Sequence, residues 1–371
     1  MKIGLDTTPL LGQRTGIGRY VQQLLSSLRT LSPGDQVLAT AFTARGAGDL
    51  AGAVPPGVSV RARPVPARLL RAAWQRSEVP PVELLTGNVD VFHGTNFVLP
   101  PARKAAGVLT IHDLAYVLHP GTVSADSARL REIVPRGVRR AGVVCVPSRS
   151  VAAEVGDLYR LPPERVQVTP LGVDPSWASA EPLAPEQLRE LRLDRPYLLF
   201  VGSLEPRKNL GLLVEAFGAA SAADPDGPLL ALAGPAGWGP EVHVPAHAAD
   251  RVVRLGYLDE TQLQSVVAGA RALVFPSLYE GFGLPPLEAF ATGVPVVATD
   301  IPTTRETVGA EPGLARLVPP GDADALAAAL VAGWADPDEP DRRRRRRAVA
   351  AAYTWQRTAA LTRAAYERAI G

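Results

Sequence analysis

The sequence has a single cysteine, Cys145, so no disulfide can form within its 371 residues. The apolar run around it, GVVCVP, makes it a small buried hydrophobe. No apolar run approaches the roughly 18 residues that cross a bilayer. The opening MKIGLDTTPL lacks the apolar core of a secretory leader. A cytoplasmic chain is therefore expected. An excess of one charge is lacking too. The 39 basic and 37 acidic residues leave a formal net charge of +2, which gives no general case for a nucleic-acid partner. Lysine is scarce: Lys2, Lys104 and Lys208 are the only three, and arginine supplies the remaining basic charge.

What is present is an alternation of apolar strand-like runs and helical periods. Runs such as VDVF, GVLTI, GVVCV, YLLFV, LLALA, RALVF and VPVVAT read as buried strands. Between them the periodicity is helical, first in Val21, Leu24, Leu25, Leu28 and Leu31. Such alternation predicts parallel α/β sheets. From Asp174 to Pro196 the composition shifts to Pro, Ala and charge, which places a domain boundary near residues 175 and 176.

The richest stretch is PSLYEGFGLPPLEAFATGVPVVATDIP, Pro276 to Pro302. Glu280 falls in the turn after a strand, and Glu288 lies eight positions on, in a helix expected to begin near Pro285 or Pro286. Gly281, Phe282, Gly283 and Leu284 bring backbone N–H groups to that helix start, where an anion is welcome. Ionised Glu accepts hydroxyl donors. A ligand with a sugar, a diphosphate and a ribose has both kinds of group. A solvated loop and cap is the plain alternative for two glutamates.

Other candidates follow strand ends. The loop after YLLFVG carries Gly202, then Arg207 and Lys208 in adjacent positions, a guanidinium fork and a mobile ammonium for a diphosphate. TGIGRY places Gly16 and Gly18 before a helix, a phosphate-approach geometry, although Val21 stands where a dinucleotide loop would need a third glycine. Two runs stop at histidine, His93 and His112; each is a ligand candidate or a satisfied strand-end residue. Asp113 is read as a turn cap, and His119 is given no role. Asp259 and Asp322 are read as helix caps, the latter in preference to a metal-binding Asp-Ala-Asp. The arginines between residues 61 and 76 and between 129 and 140 are read as solvated faces, with an anionic membrane surface or acceptor as the alternative. The run Arg342 to Arg347, after the acidic DPDEPD, is read as solvated.

Glu280 and Glu288 in the setting SxxEGFGLPxLEA, followed by GxPVVATD, resemble the signature of the retaining glycosyltransferases of family 4. IHDL, PLGVD and the Arg207–Lys208 loop also resemble family elements. The resemblance covers nearly the whole chain. It implies the GT-B fold: two Rossmann-like parallel α/β domains facing a deep cleft. Residues 1–175 would form the acceptor-side domain, completed by a last helix at about 354–371, and 176–353 the nucleotide-sugar domain. It implies that Glu280 holds donor-sugar hydroxyls and Glu288 the ribose. His112 would lie near the donor sugar, and the Gly16–Gly18 loop by the diphosphate and acceptor. One departure stands out: Ser203 follows Gly202 where many members carry Arg, so Arg207 supplies that charge.

The expected activity is transfer of a hexose from a nucleotide diphosphate sugar, with GDP-mannose favoured over dTDP- or UDP-sugars. The acceptor is a saccharide or lipid-linked hydroxyl in polysaccharide assembly. Glu280, His112, Arg207 and Lys208 carry the catalysis, without a metal or other cofactor. The rivals are a sugar-nucleotide epimerase of the same architecture, which would use carboxylates for proton transfer, and a non-catalytic nucleotide-sugar-binding protein.

Overall fold

The structure is a computed structural model that describes residues 1–12, 16–44, 46–224, 226–239, 242–335 and 339–371. The first half of the acidic DPDEPD stretch and the residues just before Gly16 lie outside those described. The chain forms two compact units. One comprises Met1–Val117, Ala125–Gly172 and Thr354–Gly371; the other comprises Leu118–Ser124 and Val173–Tyr353.

In the first unit, β1 (Lys2–Asp6), β2 (Gln36–Thr40), β3 (Ser59–Val60), β4 (Val91–Gly94), β5 (Ala106–Thr110), β6 (Val143–Val146) and β7 (Val166–Val168) form one parallel sheet. Its order is β3-β2-β1-β4-β5-β6-β7. The strands β4 and β6 are buried along their whole length, as expected of a sheet covered on both faces. Helix α1 (Gly16–Leu31) buries Val21, Leu24, Leu25 and Leu28 on β1. Leu31, the last member of the period, is exposed. Gly16 and Gly18 are not in a loop before this helix but inside its first turn. Helix α2 (Leu130–Arg140) ends in Arg140, which bonds Glu78 and the carbonyls of Leu99 and Trp74, so this arginine clips the fold instead of facing solvent. Helix α3 (Arg149–Tyr159) is capped by Ser148, whose hydroxyl accepts from the Val151 N–H.

In the second unit, β8 (Tyr197–Val201), β9 (Leu229–Ala233), β10 (Val252–Gly256), β11 (Ala272–Phe275), β12 (Val296–Thr299) and β13 (Ala315–Val318) form a second parallel sheet. Its order is β10-β9-β8-β11-β12-β13. The longer helices are α4 (Leu210–Ala223), α5 (Glu260–Ala268), α6 (Leu284–Thr292), α7 (Ala323–Ala335) and α8 (Pro340–Ala351). Asp259 caps α5 and the Asp322 carboxylate accepts from the Ala325 N–H at the start of α7. Helix α8 holds the six arginines, and the solvated reading is wrong for one of them. Arg346 is only 2% exposed and donates to the carbonyls of Leu314 and Gly293, while Arg347 donates to that of Thr292. These last two carbonyls close α6, so the guanidinium groups cap its negative end.

Helix α9 (Trp355–Ile370) returns to the first unit. Trp355, Ala359, Ala365 and Tyr366 join the core that holds Ile3, Leu5 and α1. Among the described residues no helix is long and apolar enough to cross a membrane.

Each sheet reverses its order at one point. In the second unit that point lies between β8 and β11, in the first between β1 and β4. Crevices at such reversals, beyond the strands' carboxyl ends, are where open α/β sheets take ligands.

Candidate active site

Both loops at the reversal of the second sheet carry candidate residues. After β8 the chain passes Gly202, where an added Cβ would press to 3.3 Å from Phe200 and 3.5 Å from the Lys208 side chain. A tight turn, Pro206–Lys208, follows, and Asn209 in the left-handed region hands it to α4. After β11 the chain reaches Glu280.

These loops are joined by charge. Lys208 Nζ lies 2.6 Å from Glu280 Oε1, and Arg207 Nη1 lies 2.7 Å from Glu280 Oε2. Arg207 also donates to the Tyr279 carbonyl at 2.8 Å and, through Nη2, to Glu205 Oε1 at 2.7 Å. Lys208 Nζ further sits 5.0 Å from the centre of the Phe275 ring. Lys208, Glu205 and Glu280 are all buried. Burial alone would push the Glu280 carboxyl up; Arg207 and Lys208 outweigh it and hold it at about 2. Both Glu280 oxygens thus face cations. A carboxylate has about four lone-pair positions, so each oxygen keeps room for one hydroxyl donor.

Gly283 lies at φ 93° and is the N-cap of α6, whose first residue, Leu284, comes one before the expected prolines. That backbone suits glycine, and no side chain there competes for the helix's first N–H groups. Proline at 285 and 286 removes two of the donors that a helix start usually offers. Gly283 and Leu284 keep theirs. Phe282 is buried edge-on against Tyr353, 5.7 Å between ring centres, so its side chain fixes the loop. Glu288 is 4% exposed within α6.

Two neighbours went unread in the sequence. Glu205 anchors Arg207, and its other oxygen accepts from the Ser203 hydroxyl at 3.2 Å. Its only sequence signal is an acid two positions before an arginine in a turn. His119, given no role, belongs to the second unit and lies tilted on Tyr279, ring centres 5.0 Å apart. Burial first, then the Arg207 charge, lowers its pKa.

In the first unit His112 follows β5 and packs edge-on against Tyr20 and Phe97. Its Nε2 lies 2.9 Å from the Thr95 carbonyl. A carbonyl only accepts, so Nε2 carries the proton and Nδ1 presents a lone pair. Burial pushes the imidazole down to about 4. His93 is fully buried and committed: Nδ1 is 2.7 Å from the Tyr366 hydroxyl and Nε2 2.7 Å from that of Thr110. Its ligand reading is replaced by a structural one. Asp113 caps the next turn through the Ala115 N–H. At the reversal of this sheet a pocket of about 100 Å³ is lined by Asp6, Thr8, Arg71, Trp74 and Asn96. The Asn96 side-chain oxygen is buried there without a hydrogen-bond partner. Among the described residues no group of three or more His, Cys, Asp or Glu is placed to hold a metal.

Comparison with known proteins shows the family and the fold. The family model "Glycosyltransferase Family 4" matches residues 14–177, and "Glycosyl transferases group 1" matches 195–336. O-antigen chain mannosyltransferase B of Escherichia coli is 32% identical over 66% of this chain, which spans 65% of that protein's length, just under two thirds. D-inositol 3-phosphate glycosyltransferase of Stackebrandtia nassauensis is 34% identical over 76% of this chain and 69% of its own. The solved structure of sucrose-phosphate synthase from Thermosynechococcus elongatus superposes with a TM-score of 0.74 at 22% identity, covering 99% of this chain and 98% of that one. The two parallel-sheet units are those of the GT-B fold, and the chain belongs to glycosyltransferase family 4.

Proposed function

We propose that the chain is a retaining glycosyltransferase that moves a hexose, mannose before others, from a nucleoside diphosphate sugar to a saccharide or lipid-linked hydroxyl. The observation that carries the reading is the buried pairing of Arg207 and Lys208 with Glu280 where the second sheet reverses. As the glycosidic bond breaks, negative charge grows on the leaving diphosphate. Fixed cations and the N–H groups of Gly283 and Leu284 act most strongly on that charge in the transition state. Glu280 accepts hydroxyls of the sugar, and Glu288 those of the ribose. His112 offers its bare Nδ1 to a further sugar hydroxyl, and the pocket of Asp6 and Asn96 takes the acceptor. The leaving phosphate removes the acceptor proton on the same face as the departing group, which retains the anomeric configuration. Charge is met by side chains and backbone, so no metal is required. The similarity to an O-antigen mannosyltransferase supports mannose.

The test is thermal shift with GDP-mannose, UDP-glucose and a dTDP-sugar, then product analysis by NMR. Stabilisation by one of them and a product with the donor's anomeric configuration are expected, unchanged by EDTA. An epimerised donor as product, or no shift with any donor, would overturn the reading.

A further inference from the structure

The basic turn of the second unit does not present its charge unopposed. Arg207 is held on one side by Glu205, at 2.7 Å, and on the other by Glu280, at 2.7 Å. Lys208 is held by Glu280 alone of these two acids, at 2.6 Å. The four groups sum to no net charge. Three of the four are buried and Arg207 is partly so, which makes that sum felt, because partly dehydrated charges are screened far less than exposed ones. Glu280 has a further use toward the sugar. Both oxygens of Glu205 are engaged within the turn, one on Arg207 and the other on the Ser203 hydroxyl. It fixes the guanidinium plane, and it removes one unit of positive charge from the anion's surroundings.

We propose that Glu205 is a positioning residue that holds Arg207 toward the donor while moderating the grip on the nucleoside diphosphate left after transfer. This rests on the proposed reading that Arg207 and Lys208 meet the diphosphate. A site complementary to the growing charge also binds the finished product, and slow release of that product limits turnover. An acid paired to one of the two cations keeps their aim and lowers their hold.

The sign of one substitution separates this role from a merely structural one. Glu205→Gln keeps an oxygen for Arg207 and removes the negative charge. GDP, UDP and dTDP are titrated separately, by calorimetry, into the full chain and its variants. For whichever nucleotide the parent protein binds, Glu205→Gln is expected to bind about tenfold more tightly, with a steeper loss of affinity as salt rises. Its kcat falls together with its KM. Glu205→Asp, which restores the charge, returns affinity toward the parent value. Glu205→Ala frees the guanidinium and shows no such gain. In an Arg207→Ala background the Gln substitution changes nothing, since the effect passes through Arg207. Equal or weaker binding by Glu205→Gln, or a gain that persists without Arg207, overturns the inference while leaving the donor reading intact. Binding of none of the three nucleotides by the parent protein overturns both.

Discussion

Lys208 is where removal of one side chain reads the chemistry most directly. Replacing it by Ala leaves Glu280 with Arg207 and takes away one of the two side-chain cations in the cluster. A loss of about 10²–10³ in kcat is expected, the scale of deleting one electrostatic group from such a site. Steady-state kinetics against the preferred donor checks it; unchanged kcat would remove Lys208 from the scheme. Glu280 itself is depressed from 4.5 to about 2. Its ion pairs add stability above its unfolded value and lose it only as pH falls toward 2, so Glu280 shapes no limb of the rate profile above pH 5. His93 runs the other way in charge. Its neutral form is favoured, its pKa lying at about 3 instead of 6.5. The unfolded chain takes the proton first, so stability declines as pH drops from 6.5 toward 3, by up to about 1.4 kcal/mol per pH unit. His93→Gln is expected to flatten that slope in urea melts run between pH 4 and 7, at a cost in stability near neutrality. Asn96 makes a third case. Its side-chain oxygen is buried and unmatched, so Asn96→Ala costs little stability or adds some, while raising the KM for acceptor. A lowered Tm with unchanged KM would contradict it.

Helix α6 is gripped at one end and open at the other. Arg346 and Arg347 occupy the Thr292 and Gly293 carbonyls, and Gly283 at the start carries no side chain. Arg346→Met keeps most of the buried volume and strands two carbonyls, for a loss of about 2–4 kcal/mol by thermal or denaturant unfolding. Gly283→Ala is expected to cost about 1–2 kcal/mol through its left-handed backbone and to weaken donor binding as well. The start of this helix was legible in the sequence because prolines and glycines carry their backbone demands with them. The strands were legible because a sheet covered on both faces needs unbroken apolar runs, as in RALVF and VPVVAT. The arginine clamp was not. Six consecutive arginines point all round a helix, and nothing local tells which of them meets another helix's last carbonyls. Glu205 was hidden for a like reason: an acid in a turn has no signature until its partner's position is known. His93 and His112 both end apolar runs, yet only three-dimensional neighbours separate a locked ring from one with an open nitrogen.

At the scale of the whole molecule, the first unit is assembled from three stretches of sequence, the last of which is α9. That helix supplies Trp355, Ala359, Ala365 and Tyr366 to the core and ties itself down by Arg363 to Asp35 and by Tyr366 to His93. Deleting Thr354–Gly371 therefore opens the core of the first unit while leaving the second unit's residues in place. Hydrogen exchange is expected to show protection lost in β1, β4 and β5 and kept in β8 and β11; retained protection in the first sheet would show that α9 is dispensable. The order of translation gives this arrangement a further meaning. Domains generally fold as they leave the ribosome, amino-terminal first. Here the half made first must wait, its apolar face uncovered, until the intervening stretch Val173–Tyr353 has emerged and the closing helix follows, about 10 to 40 s at ordinary elongation rates. The later half can reach its native state sooner, and the earlier half is the natural client of a holdase during that interval.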